Sequence, residues 1–302
     1  MKIIFMGTPD YASRILENLI AQDDVEVVAV YTQPDKPVGR KKTMTPPPVK
    51  VLAEKNGIAV YQPVRLRDDA VVEQILQIEC DFIVVAAYGQ ILPKDVLEHA
   101  PCINLHASVL PQYRGASPIQ QSLLNGDHET GVTAMLMEEG LDTGPILAIE
   151  RIPVSDNEMV GSLFERLTET AADMTPGVLR SFSSLKPVPQ NDSEATYCKK
   201  ITKSEGEVGF DDAGMLFNRY RAFTPWPGVY LKSGLKLKKI ELVDTFSKHE
   251  AGRILAVDKE GVTVGCSRGE LRIYTLQPSS KKEMRAVDYL NGKRLGVDDI
   301  LA

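Results

Sequence analysis

Along the first 185 residues, short apolar runs that stop at a glycine or a polar cluster alternate with stretches of helical spacing. Runs of this kind have no polar face to turn to water. Each must be buried between helices, which restricts the chain to a mostly parallel α/β sheet covered on both sides. Residues 2–7 (KIIFMG) form the first run, and Ile15, Leu16, Leu19 and Ile20 then repeat at helical spacing, predicting a helix over 10–21. Residues 25–31 (VEVVAVY) predict a second strand, followed by a proline-rich loop, helices near 49–56 and 70–78, and a short strand near 59–61. Residues 81–87 (DFIVVAA) and 102–105 predict two more buried strands. Residues 133–138 and 146–153 read as a strand pair, and a long helix from 160 to about 185 closes the unit.

The texture then changes. Residues 186–206 carry two prolines and few apolar side chains, and read as a linker. Beyond them, short strands near 228–232, 235–242, 253–257, 262–266 and 271–276 are separated by turns rich in Asp, Gly and Ser. The expected fold is therefore a doubly wound, Rossmann-like sheet in residues 1–185 and a small OB-like β-barrel in residues 207–302. Charge divides along the same line. Of the net −6, residues 1–198 carry 16 Lys+Arg against 27 Asp+Glu, and residues 199–302 carry 19 against 14. A basic module on an acidic body suits a polyanionic partner, although a solvated basic face explains the same numbers.

Several classes are excluded. No apolar run approaches the ~20 residues of a membrane-spanning helix. The run at Ile3–Met6 is followed at once by Gly7, Pro9 and Asp10, unlike a signal peptide, and with Met1 directly before the first strand no transit peptide is expected. The expected setting is the bacterial cytoplasm. Cys80, Cys102, Cys198 and Cys266 stand apart with no CxxC, which predicts buried thiols in a reducing compartment and no metal site. A strand ending in glycine invites a nucleotide oxidoreductase reading, but Gly7-Thr8-Pro9-Asp10 is not GxGxxG. Pro9 also removes an N–H that a pyrophosphate would need.

Sheets of this type bind ligands outside the carboxyl ends of their strands. Two such ends are polar: Ala87-Tyr88-Gly89-Gln90 and Asn104-Leu105-His106-Ala107-Ser108. Alternate side chains share a face, so Asn104 and His106 point the same way. An amide beside an imidazole suits a developing oxyanion and a mobile proton. Asp142, between Gly140 and Gly144, is a third candidate that could face the ring or relay a proton through water. Singly, each has a plainer role: a structural histidine, a turn aspartate, an asparagine capping a loop.

The segment from Asn104 to Gly115 (NLHASVLPQYRG), followed by Gly131-Val132-Thr133 and Leu141-Asp142-Thr143-Gly144, resembles the 10-formyltetrahydrofolate-dependent formyltransferases. The resemblance implies that Asn104, His106 and Asp142 are catalytic. It implies folate contacts from Ser108, Val109, Leu110 and Pro111, with Tyr88 and Gly89 as another wall of the pterin pocket. Val109 and Gln112 stand where the family usually has leucine and a basic residue. The formyl donor would be 10-formyltetrahydrofolate, a cosubstrate, with no tightly bound cofactor and no metal.

Residues 4–9 (IFMGTP), 33–42 (QPDKPVGRKK) and 224–228 (TPWPG) extend the resemblance to two-domain members that act on initiator methionyl-tRNA. Those members imply that Arg40, Lys41 and Lys42 meet the tRNA, from a proline-stiffened basic loop over residues 33–48. Trp226, between two prolines, is expected to pack rather than to stack on bases. The chain is expected to act as a monomer, away from membranes. An amino-sugar nucleotide as acceptor, or a non-catalytic RNA-binding relative, remain the alternatives.

Overall fold

The computed structural model describes residues 1–39 and 41–302, and Arg40 lies outside the described residues. The chain divides into two compact units, one of residues 1–118, 129–154 and 162–199, the other of residues 119–128, 155–161 and 200–302. The polar stretch 186–199 thus packs with the first unit, and two excursions of the chain pack with the second.

In chain order the first unit begins with β1 (Lys2–Gly7), α1 (Asp10–Ile20), β2 (Glu26–Tyr31), β3 (Lys36–Val38), β4 (Thr43–Thr45) and α2 (Pro48–Lys55). It continues with β5 (Val60–Tyr61), α3 (Asp69–Leu76), β6 (Phe82–Ala86), α4 (Lys94–His99), β7 (Cys102–His106) and β8 (Arg114–Gly115). Past α5 (Pro118–Asn125), whose residues 119–125 belong to the second unit, it resumes with β9 (Glu129–Leu136), β10 (Ile146–Pro153), α6 (Val160–Ser181) and β11 (Tyr197–Cys198). Seven strands form the main sheet in the order β10-β9-β7-β6-β1-β2-β5. The strands from β5 to β7 are parallel, while β9 and β10 run antiparallel and finish one edge. This is the doubly wound, mostly parallel sheet that the apolar runs require.

β1 is its centre. Ile4 lies between Ala29 and Ile83, and Phe5 between Val30 and Val84. Ile4 and Met6 pack with Tyr31, Val85 and side chains of α3 and α4, while α1 buries Tyr11, Ala12, Ile15, Leu16 and Leu19 at helical spacing. At Gly7 strand and helix close up, so that a Cβ would lie 2.5 Å from the Ala12 Cβ and 2.9 Å from the Ala86 carbonyl oxygen. Only glycine fits there. The chain leaves β1 towards β2 on one side and returns to β6 on the other, so the carboxyl ends of β1 and β6 flank the switch point where such sheets bind ligands.

The second unit holds α7 (Ala213–Phe223), β12 (Val229–Tyr230), β13 (Lys236–Asp244), β14 (Ile254–Val257), β15 (Val262–Gly265), β16 (Glu270–Gln277), β17 (Met284–Arg285) and α8 (Ala286–Lys293). Its strands form an antiparallel sheet in the order β12-β13-β16-β15-β14, with β17 beside Thr275 and Leu276 of β16. The expected strands are present. The OB-like closure is not: among the described residues no pairing joins β12 to β14. β12 is only two residues long, too little ladder to complete a ring. Two helices that the β-rich texture concealed, α7 and α8, pack on β13 and β16. The signal for α7 was available: Asp212 accepts the Met215 N–H as an N-cap, and Leu216, Phe217, Tyr220 and Phe223 follow at helical spacing. Trp226 is 60% exposed, contrary to the expectation that it packs.

Arg221 ties one excursion into this unit. Its buried guanidinium donates to the carbonyls of Ser155 (3.2 Å) and Glu158 (3.4 Å) and to the Asn218 side chain (2.5 Å). Burial holds its pKa below the ordinary arginine value. Arg221→Ala should remove the donor these three acceptors share and empty the space its buried side chain fills, lowering stability by ~2 kcal/mol in urea denaturation.

Candidate active site

Three chain segments converge at the carboxyl edge of the sheet. β7 ends in Asn104-Leu105-His106, and the alternation of the strand turns Asn104 and His106 to one face, as expected. Both meet the Asp142 carboxylate. Asn104 Nδ2 lies 3.4 Å from Oδ1, His106 Nδ1 lies 3.8 Å from Oδ2, and the Gly115 backbone N–H donates to Oδ2 at 2.8 Å. The side chains of His106 and Asp142 are 7% and 13% exposed, so the cluster sits in a sheltered recess.

The other ring nitrogen decides the tautomer. His106 Nε2 is 2.9 Å from the Tyr113 carbonyl, which can only accept, so Nε2 carries a proton and Nδ1 faces Asp142. At 3.8 Å no direct hydrogen bond joins Nδ1 to the carboxylate. That nitrogen is available to a reacting group, while the carboxylate remains near enough to attract a charged ring.

Asp142 is held in the left-handed region with φ +53°. This costs an ordinary side chain about 1–2 kcal/mol, and aspartate is among the few that visit it routinely. The turn is pinned at Gly144, where a Cβ would run into the Leu136 carbonyl oxygen. Gln190 donates from Nε2 to the carbonyls of Asp142 (2.9 Å) and Gly144 (2.7 Å). Nothing in the sequence singles out this glutamine, which stands in the polar stretch assigned to the linker.

The loop after His106 is braced by Thr133 of β9. Its buried hydroxyl donates to the Ser108 carbonyl at 2.7 Å and accepts the Leu110 N–H at 3.1 Å. The Ser108 hydroxyl donates to the Gln112 carbonyl at 2.6 Å, and Leu110 is buried, whereas Val109 and Pro111 are half-buried. Tyr88 turns its ring into the core packed against α3 and α4, so its backbone carbonyl faces the switch point, accepting from Gln33 Nε2 (3.1 Å) and Thr8 Oγ1 (3.3 Å). Gly89 follows with φ +77°. All four cysteines are free. Cys198 is buried beside the loop, its thiol donating to the Tyr113 carbonyl at 3.3 Å, and burial pushes its pKa up.

The basic loop, whose first residue Gln33 reaches the Tyr88 carbonyl, has more structure than its prolines suggested. β3 and β4 pair as a hairpin, Lys36 opposite Thr45 and Val38 opposite Thr43. At its base Asp35 accepts from Gln62 Nε2 (2.8 Å) and Lys50 Nζ (3.0 Å), which hold its carboxyl below the usual range. Lys41 and Lys42 are exposed between the two strands. No helix among the described residues is long and apolar enough to cross a membrane.

The chain matches the sequence profile described as formyl transferase over residues 1–179, and that of the formyl transferase C-terminal domain over residues 200–294. It belongs to the formyl transferase family. The proteins similar to it along their whole length include the methionyl-tRNA formyltransferase of Sulfurimonas denitrificans, 63% identical over 302 residues that cover 100% of both chains. That of Wolinella succinogenes is 52% identical over 303 residues, covering 100% of this chain and 99% of that one. Among solved structures, the N-formyltransferase of Helicobacter canadensis with folinic acid and dTDP-3-aminofucose shares the fold. Its TM-score is 0.69 at 18% identity, over 90% of this chain and 98% of that chain.

Gly144→Ala tests the turn. The added methyl must displace the Leu136 carbonyl or the turn itself, with an expected loss of ~2 kcal/mol in urea denaturation. Gly161→Ala, at a helical position with open space around its Cβ, should leave stability unchanged or improved.

Proposed function

We propose that this protein transfers the formyl group of 10-formyltetrahydrofolate to the α-amine of methionine esterified to initiator tRNA. The observation that carries the proposal is the convergence of an amide, an imidazole and a carboxylate at the sheltered carboxyl edge of the sheet. The neutral amine attacks the formyl carbon and a C–N bond forms. The resulting oxyanion is met by N–H donors of Asn104 Nδ2 and of His106 Nδ1 in its protonated ring. Asp142 faces that ring from 3.8 Å and takes the amine proton through water. The tetrahedral intermediate collapses with cleavage of the bond to folate N10, which receives that proton from Asp142 through water as it leaves. Oxyanion donors of this kind contribute about 100- to 1000-fold in rate.

The folate lies against residues 108–111 and the backbone at Tyr88 and Gly89. The tRNA meets Arg40, Lys41 and Lys42, assisted by the net-basic residues 199–302, with its phosphates supplying most of the affinity. The acting species is a monomer in the bacterial cytoplasm, where its two substrates are solutes.

The test is formyl transfer from 10-formyltetrahydrofolate to charged initiator methionyl-tRNA, beside an amino-sugar nucleotide. His106→Ala and Asn104→Ala should each lower kcat by about 100-fold or more with tRNA affinity retained. Transfer to the sugar alone would overturn the assigned acceptor, and full activity in both variants would overturn the assigned site. An α-amine with an ordinary pKa of about 8 must be neutral to attack, so kcat/KM should fall as pH drops below that value. Raising salt from 50 to 200 mM should weaken tRNA binding at least ten-fold and folate binding far less, by titration of each ligand.

A further inference from the structure

We propose that Gln190, oriented by Arg114, is a positioning residue that sets the Asp142 carboxylate against Asn104 and His106. This rests on the reading of those three residues as the reacting site. Gln190 spreads the two N–H bonds of its amide over the carbonyls of Asp142 and Gly144, at 2.9 and 2.7 Å. Those carbonyls flank Thr143, so one planar group spans the left-handed turn that presents the carboxylate. A single bond would leave the turn free to swing, whereas two bonds from one rigid amide fix where it sits.

The amide is itself fixed. Its oxygen accepts from Arg114 Nε (3.1 Å) and Nη2 (2.9 Å), two donors of one guanidinium fork. Because guanidinium can only donate and the carbonyls can only accept, the amide has one workable orientation, oxygen to Arg114 and nitrogen to the turn. Arg114 cannot drift either. Its side chain is 1% exposed, Nη2 donates to Asp192 at 2.8 Å, and Nη1 reaches the Tyr197 hydroxyl at 3.4 Å. The next residue, Gly115, donates its backbone N–H straight to the Asp142 carboxylate. Consecutive residues therefore hold Asp142 at both ends, the carboxylate directly through Gly115 and the backbone through Arg114 and Gln190. Neither Arg114 nor Gln190 touches the face where Asn104 and His106 meet the carboxylate.

A cycle of Gln190→Ala, Asp142→Asn and the double variant separates positioning from general packing. Displacing a reacting group by about 1 Å costs about 100-fold in rate. Gln190→Ala should thus lower kcat by about 10- to 100-fold, with KM for both substrates changed less than two-fold. In the Asp142→Asn background it should cost less than two-fold further, because there is no carboxylate left to position. Gln190→Glu keeps a partner for Arg114 but donates to neither carbonyl. It should lose at least as much activity as the alanine variant and unfold at a lower temperature, because a carboxylate oxygen then faces the two carbonyls. Equal fold losses in both backgrounds, or wild-type kcat in Gln190→Ala or Gln190→Glu, would overturn the assignment and leave the site reading intact. Wild-type kcat in Asp142→Asn would overturn the site reading and this assignment with it.

Discussion

The Asp142 carboxylate, with the Gly115 N–H 2.8 Å away, is the point from which the rest of the site is hung. A sheltered carboxylate is costly unless donors surround it, and here the donors come from β7 and from β8. The Asn104 amide faces one oxygen, while the His106 ring and the Gly115 amide face the other. The Nε2–H bond to the Tyr113 carbonyl turns the remaining ring nitrogen towards the same carboxylate. Disturbing Asp142 would therefore disturb several neighbours together.

The sheet makes this arrangement rigid. β7 pairs with β6 on one side and β9 on the other, so Asn104 and His106 are carried on a strand with neighbours along both edges. β9 also supplies Thr133, whose hydroxyl braces the loop that follows His106. The irregular parts, the residue 107–113 loop and the turn at Asp142, are each held by hydrogen bonds to side chains from other segments. A solved structure at 18% identity retains this fold, which shows how little of the sequence the scaffold needs.

The strands were readable because burial on both faces leaves an unbroken apolar run, and α1 because its apolar residues recur at helical spacing. The shared face of Asn104 and His106 followed from the two-residue period of a strand. The hairpin of residues 36–45 and helix α7 were not read, the first because its prolines and lysines mimic an open loop, the second because β-rich surroundings drew attention from its Asp212 cap. The barrel expectation is unconfirmed for a different cause. Strand periodicity says which residues pair and face inward, but closure depends on strand length and register across the sheet.

The sequence by itself determined the parallel α/β core, the strand end bearing Asn104 and His106, and the charge difference between the two parts of the chain. These are local properties, set by side-chain period and composition. The tertiary structure alone decided that Asp142, 36 residues beyond His106, turns its carboxylate to that imidazole, and which ring nitrogen faces it. It also alone decided that Gln190, in a polar stretch with no motif, closes on the Asp142 turn. Contacts between segments far apart in the chain leave no period in the sequence; they exist only once the sheet has brought its strand ends together.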